Sequence, residues 1–147
     1  ATIGGSTTGK STGKWYWEIT LTSNSGSPSI GIYSGTSANL NTHVGNNSNG
    51  YAYYYLLGGW WHSTTLDFNI FDCGTFVSGD VIGVALDAGG NKITFYKNGT
   101  LCNPANQTIS GGNYFPAVSS NSSVFTANFG ASSFTYSVPS GYNSGFY

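Results

Sequence analysis

Residues 79–99 have the sequence GDVIGVALDAGGNKITFYKNG, which predicts a hairpin inside a β-sheet. Residues 81–86 are apolar on both faces of a strand, as is typical of a central strand in a sandwich. Residues 87–91 follow with two glycines that can supply the positive φ of a hairpin turn. Residues 93–97 form the returning strand, and the Asn-Gly pair at 98–99 is a strong signal for a further turn.

Segments with strand periodicity continue on both sides of this hairpin. Apolar residues from Trp15 to Leu21 occupy every second position, which predicts a half-buried strand. Further short strands are predicted at residues 29–33, 114–119, 124–129 and 134–138, separated by turns rich in Ser, Asn and Gly. No window keeps the apolar spacing of an amphipathic helix. The pattern therefore predicts an all-β fold, either a sandwich or a barrel.

The domain organisation follows from the same periodicity. It runs from residue 14 to the region of Pro139 without a linker or a change in composition, and we predict a single domain over residues 14–147. Residues 1–13, ATIGGSTTGKSTG, lack strand periodicity and predict a flexible lead-in.

The two cysteines, Cys73 and Cys102, leave two alternatives open. A disulfide between them would stabilise the fold by roughly 3 kcal/mol and would imply an oxidising compartment. Two unpaired buried thiols fit the sequence equally well.

The composition limits the classes of partner. Only 6% of the 147 residues are charged and the formal net charge is -1, without a lysine cluster, which argues against nucleic acid as a partner. No apolar run approaches the ~18 residues of a membrane-spanning helix, so we do not predict membrane insertion. A surface of hydroxyls, amides and glycine fits a protein outside a cell or on a virus particle. We therefore expect an extracellular or virion-surface location.

The ionisable residues do not form a recognisable catalytic or metal-binding pattern. A glycosidase needs two carboxylates beside one cleft, and a serine hydrolase needs a serine, a histidine and an acid together. The chain has five acids and no G-x-S-x-G motif, its two histidines are far apart, and it lacks C-x-x-C and calcium-loop patterns. The acids are Glu18, Asp67, Asp72, Asp80 and Asp87. We therefore expect a protein that is not an enzyme and has no metal or cofactor.

Residues 50–63, GYAYYYLLGGWWHS, form an unusually aromatic segment. Its two glycines predict a turn between two strands, and strand alternation then places tyrosines on both faces. Both faces cannot easily be buried beside a turn, so we expect some of these aromatic side chains to be exposed. The candidates are Tyr53, Tyr54, Tyr55, Trp60 and Trp61. Exposed Tyr and Trp are favourable contacts for a protein or glycan, and core packing is the alternative for each residue.

Six motifs in chain order resemble those of the SPRY domain family. Residues 13–19, GKWYWEI, resemble its opening G-K-x-Y-x-E-V strand, and residues 79–87 match G-D-V-I-G-V-x-L-D. The other four are Gly-Tyr at 50–51 with Trp-His-Ser at 61–63, ITFYKNG at 93–99, YFPAV at 114–118 and NFG at 128–130. The resemblance implies a bent sandwich of two antiparallel sheets. It also implies an interaction module that binds proteins, and sometimes sugars or surfaces, through loops at one end.

The resemblance also bears on individual residues. Three of the five acids, at positions 18, 80 and 87, fall in framework motifs, which implies a structural role. In SPRY relatives the loop before the glycine-tyrosine strand helps to form the ligand pocket, which makes Leu40, His43 and Val44 candidate contacts. For His43, which has no evident carboxylate partner in this polar loop, a solvated side chain is the alternative. His62 is more typical of a hydrogen-bonded framework histidine. The neutral surface is similar to that of SPRY modules in bacteriophage and other viral structural proteins.

These observations predict a non-catalytic binding or display module of a virion or extracellular assembly, with a protein or a cell-surface glycan as partner. The alternative is a structural subunit or decoration domain of a capsid, tail or filament, which would contact copies of itself or other virion proteins. Low charge suits this alternative too, since subunit contacts are poor in charge at their centres.

Overall fold

The computed structural model describes residues 2–5, 8–34, 42–46 and 48–147, with only the backbone of residues 2–4. These residues form twelve strands and no helix. The strands are β1 (Thr2–Gly5), β2 (Lys14–Ser23), β3 (Ser29–Ser34), β4 (Gly50–Tyr54), β5 (Gly59–His62), β6 (Thr65–Asp67), β7 (Val81–Asp87), β8 (Lys92–Lys97), β9 (Thr100–Thr108), β10 (Tyr114–Ser120), β11 (Val124–Asn128) and β12 (Asn143–Ser144). The described part of the chain contains no helix that is long and apolar enough to cross a membrane.

The strands form two sheets. Sheet A has the order β1-β10-β3-β4-β5-β6, and sheet B has the order β11-β2-β7-β8-β9, with the short β12 beside β2. All neighbours are antiparallel except β12 and β2. The predicted all-β fold of two antiparallel sheets is confirmed.

The hairpin predicted from residues 79–99 lies inside sheet B. Asp87 pairs with Lys92 across the turn, and Ile82 pairs with Lys97 at the other end of the hairpin. The Asn98 side chain closes the second turn, because its Oδ1 accepts from the Val81 N–H at 2.9 Å and its Nδ2 donates to Asp80 at 2.9 Å. The turn signal in the sequence therefore also holds the start of β7.

The hydrophobic core lies between the sheets. Its largest fully buried side chains come from both sheets and from the loop between β6 and β7, and include Trp17, Tyr53, Tyr114, Phe76 and Phe95. Tyr53 packs edge-on against Phe76 and Phe95, with ring centroids 4.8 and 5.8 Å away. Each large apolar side chain of this kind contributes about 1.5–3 kcal/mol by leaving water.

Two strand predictions need correction. Residues 134–138 are not a strand, because the N–H groups of Thr135 and Tyr136 donate to the carboxylate of Glu18 instead of to a neighbouring strand. β9 was not predicted, since its polar sequence TLCNPANQT lacks strand alternation, yet it pairs with β8 as the edge of sheet B.

The segment predicted as a lead-in contributes to sheet A. β1 pairs with the end of β10, and Lys10 forms an isolated bridge with Tyr114. Its flexibility, and the division at residue 14, stay predictions.

Cys73 and Cys102 form a disulfide. It links the loop between β6 and β7 to β9, so it joins the crossover from sheet A to the edge of sheet B.

The strand directions define two ends of the sandwich. The Gly50 end carries the start of β4 and the turns at residues 63–64, 88–91 and 109–113. The Leu57 end carries the turns at 24–28, 55–58 and 98–99 and the loop 68–80.

Candidate functional site

The outer face of sheet A has a row of small residues in its centre. Ala117, Gly31 and Ala52 are aligned across β10, β3 and β4, and Trp61 of β5 continues the row. A Cβ at Gly31 would lie 1.9 Å from the carbonyl oxygen of Tyr51, so glycine is required there. The row leaves space above the sheet for another part of the chain.

Residues 42–46, from the connection between β3 and β4, occupy that space. Val44 is fully buried, and its N–H donates to the Ser119 hydroxyl at 2.8 Å. Ser119 in turn shares a hydrogen bond of 2.6 Å with Ser29. Gly45 accepts from the Thr64 N–H at 2.8 Å, and its φ of +94° belongs to the left-handed region. Backbone hydrogen bonds thus hold the segment against the outer face.

Three aromatic rings meet beside this segment, and we call them the His43 cluster: His43, Tyr54 and Trp61. The His43 ring stacks on Trp61 with centroids 4.9 Å apart and planes 28° apart. Tyr54 contacts both rings edge-on, at 5.9 Å from His43 and 5.1 Å from Trp61. Tyr55 and Phe68 extend the aromatic surface through Tyr54, at 5.0 and 6.2 Å.

The polar atoms of the cluster are incompletely paired. His43 Nδ1 and Trp61 Nε1 are buried and have no hydrogen-bond partner among the described residues. Burial lowers the pKa of His43 below its ordinary value of 6.5, because water is removed from the charged form. The ring is therefore neutral at pH 7.

The carboxylates serve the framework. Each of the five accepts a hydrogen bond from within the fold, and four of them bond backbone N–H groups: Glu18 from Thr135 and Tyr136, Asp72 from Asn103, Asp80 from Val77, and Asp87 from Gly90. Asp67 lies 2.8 Å from Nε2 of His62, whose ring stacks on Trp60. His62 is thus hydrogen-bonded, as expected of a framework histidine, but its partner was not anticipated.

The SPRY domain model matches residues 14–132. The chain belongs to the SPRY domain family. SPRY domains are in general protein-interaction modules and not enzymes. Comparison with curated proteins gives no match. The matched range contains the His43 cluster and both ends of the sandwich, whereas residues 133–147 lie beyond it.

In this SPRY domain three of the five aromatic candidates are buried, as in the core-packing alternative. Tyr53 and Trp60 point into the core, because sheet B and the loop 68–80 cover the inner face of β4 and β5. The Tyr53 hydroxyl donates to the carbonyl of Gly74, which closes the core under that loop. Trp61 is only 9% exposed, since it lies under residues 42–46. Tyr54 and Tyr55 are half-buried.

The SPRY fold therefore brings together three predicted site residues, His43, Tyr54 and Trp61, with Tyr55 beside them. It separates them from Tyr53 and Trp60, whose side chains lie on the opposite face of sheet A. Val44, within residues 42–46, is buried against the outer face of sheet A. Leu40 lies outside the described residues. The sequence contained no signal that residues 42–46 cover the outer face, because the row of small residues becomes visible only after the strands are paired.

Proposed function

We propose that this SPRY domain is a non-catalytic module that binds a neutral protein segment at the His43 cluster. The observation that carries the proposal is the pair of buried nitrogens, His43 Nδ1 and Trp61 Nε1, that lack a partner among the described residues. A buried polar group without a partner costs about 1–3 kcal/mol. A partner that displaced part of the covering residues 42–46 could bring a backbone amide or hydroxyl to these atoms and remove that cost, which favours binding at this place.

The chemistry around the cluster favours an uncharged partner. The rings are aromatic or neutral imidazole, and the half-buried Tyr54 and Tyr55 supply contact area at a low entropic cost. We infer that Tyr54, Tyr55, Trp61 and His43 contact the partner, and that Tyr53 and Trp60 support them from the core. A glycan shares part of this chemistry, since the C–H face of a sugar stacks on aromatic rings.

A display role in an extracellular or virion assembly is the second part of the proposal. Only 6% of all residues are charged, so few charges are available to the surface. The Cys73–Cys102 disulfide is typical of proteins that work in oxidising environments. Both features favour a position outside the cytosol.

Peptide and glycan arrays, followed by calorimetry on the best ligand, test the proposal. We expect an uncharged peptide to bind, and Tyr54→Ala to weaken binding by at least about tenfold, or about 1.4 kcal/mol. Trp61→Phe keeps a ring but removes Nε1, so it should weaken binding. Because Trp61 is buried, urea unfolding of the same variant separates this effect from lost packing. Tyr136→Ala is the matched control, because Tyr136 is a half-buried tyrosine beyond the other sheet.

Equal effects of Tyr54→Ala and Tyr136→Ala would contradict the proposed site. Binding confined to the glycan array would replace the proposed protein partner by a carbohydrate. Absence of binding on both arrays would contradict the proposal as a whole.

A further inference from the structure

The charged side chains are segregated between the two ends of the sandwich. At the Gly50 end, Lys14 on β2 and Lys92 on β8 lie opposite Asp87 in the strand register. Lys10 lies at the same end, beside the start of β10. The Leu57 end carries three aspartates and one lysine: Asp67, Asp72, Asp80 and Lys97. Glu18, the remaining acid, is buried within β2. Counting side chains, one end has three lysines against one aspartate, and the other has the reverse.

Exposed apolar side chains follow the same division. Among the described residues, those at or next to the Leu57 end are Leu56, Leu57, Phe68, Val77, Leu101 and Val124, and only Tyr147 lies at the Gly50 end. Leu57 is 48% exposed and has a φ of +53°, so an unfavourable backbone conformation presents an apolar side chain to solvent. An open cavity of about 380 Å³ lies beside it, with Ile70, Phe71 and Asp72 in its wall. This end is acidic and apolar.

The Gly50 end combines lysines with aromatic rings. The Lys10 ammonium lies 4.4 Å from the centroid of Trp15, and the Lys14 ammonium lies 5.7 Å from that of Tyr142. Tyr147 is 67% exposed and contacts Trp15 edge-on at 5.5 Å. This end is basic and aromatic, and so it complements the other in both charge and apolar character.

We propose that the Leu57 end of one molecule docks on the Gly50 end of a second copy of this chain. Complementary charge at opposite ends steers such an encounter, while the apolar residues supply the area that leaves water. The two surfaces differ, so the contact is heterologous, and each docked copy leaves one free surface of each kind for further copies. The inference goes beyond the proposed function, because the His43 cluster lies on the outer face of sheet A.

Sedimentation velocity of the whole chain tests the docking over about 5–500 µM protein. We expect species larger than a dimer at ~20 mM NaCl, and at ~300 mM NaCl a dissociation constant raised at least tenfold, because salt screens exposed charges. Leu57→Asn together with Val77→Ser should abolish association, because both side chains are exposed at the Leu57 end. Asn suits the positive φ at position 57. Ala127→Ser is the matched control, since Ala127 is an exposed apolar residue within β11, opposite Ile19 and away from both ends of the sandwich.

Mixing two charge variants tests which surfaces meet. Lys14→Glu and Asp67→Lys should each weaken association, and an equimolar mixture should restore it, because each altered end then finds a complementary one. A wild-type chain that stays monomeric at low salt, association that stops at a symmetric dimer, or a mixture as weak as either variant would overturn the proposal. None of these outcomes alters the expected peptide binding at the His43 cluster, so the two proposals fail separately.

Discussion

The buried carboxylate of Glu18 accepts a hydrogen bond of 2.9 Å from the backbone N–H of Tyr136, which lies 118 positions later in the chain. The N–H of Thr135 donates to the same carboxylate at 2.8 Å. Residues 133–147 lie beyond the range that matches the SPRY family, yet this contact fixes Thr135 and Tyr136 against the outer face of sheet B, where Phe134 packs on Tyr16. Glu18 thus joins the family framework to the segment that follows it.

Glu18→Ala should lower the free energy of unfolding by about 2–5 kcal/mol, because two backbone N–H groups lose a charged acceptor. Glu18→Gln keeps an acceptor oxygen and should cost less. Urea unfolding measures both. Asp67→Asn is the control, since its carboxylate is exposed and should contribute at most about 1 kcal/mol. A loss below about 1 kcal/mol for Glu18→Ala would contradict the anchoring role.

Gly45→Ala should lower the free energy of unfolding by disturbing the packing of residues 42–46 on the outer face of sheet A. A Cβ at Gly45 would lie 2.6 Å from the Cβ of Trp61, on a residue whose φ is +94°. Gly141→Ala is a matched control, because Gly141 has a φ of +86° but open space around its added Cβ. Since both variants carry the backbone strain, we expect Gly45→Ala to cost about 1–3 kcal/mol more, as for overpacking in a core. Thermal unfolding followed by tryptophan fluorescence measures the difference, and equal costs would show that the contact with Trp61 is unimportant.

The stability of the fold should depend on pH through His43. Its pKa is lowered by burial, so the unfolded chain binds the proton more tightly than the folded chain does. The contribution of the neutral ring is complete above about pH 6.5, the unfolded value, and is lost as the pH falls towards the lower folded value. We expect the free energy of unfolding to drop from about pH 7 to about pH 5, and to drop less in His43→Gln. His62→Gln is the control, because it should keep the part of the pH dependence that comes from His43. Identical pH profiles for wild type and His43→Gln would contradict the prediction.

Removal of the disulfide should destabilise the domain. Cys73→Ser with Cys102→Ser should lower the free energy of unfolding by about 2–4 kcal/mol, because the unfolded chain regains the freedom of the closed loop. Denaturant unfolding of this double variant, compared with the wild-type chain with and without reductant, measures the loss. The reduced wild-type chain should match the variant, and an unchanged midpoint would contradict the prediction.

Local patterns in the sequence were sufficient for the class of fold. Alternation in residues 15–21 and the apolar run at 81–86 describe strands whose side chains are buried by their own sheet and its neighbour. The Asn98-Gly99 pair specifies a turn through backbone conformations that few other residues adopt. These features depend on neighbours a few positions away, and they combined with six ordered motifs to indicate the SPRY family before any contact was known.

The candidate site depended on contacts between distant parts of the chain. Tyr53 and Tyr54 are adjacent and chemically identical, yet one is in the core and the other contacts His43, because sheet B covers one face of β4 and residues 42–46 lie near the other. The same holds for residues 134–138. Their alternation predicts a strand, but the N–H groups of Thr135 and Tyr136 donate to Glu18 and not to a neighbouring strand. Periodicity determines which residues share a face, whereas the partner that covers each face is decided by tertiary packing, where a single distant carboxylate or loop can outweigh local preference.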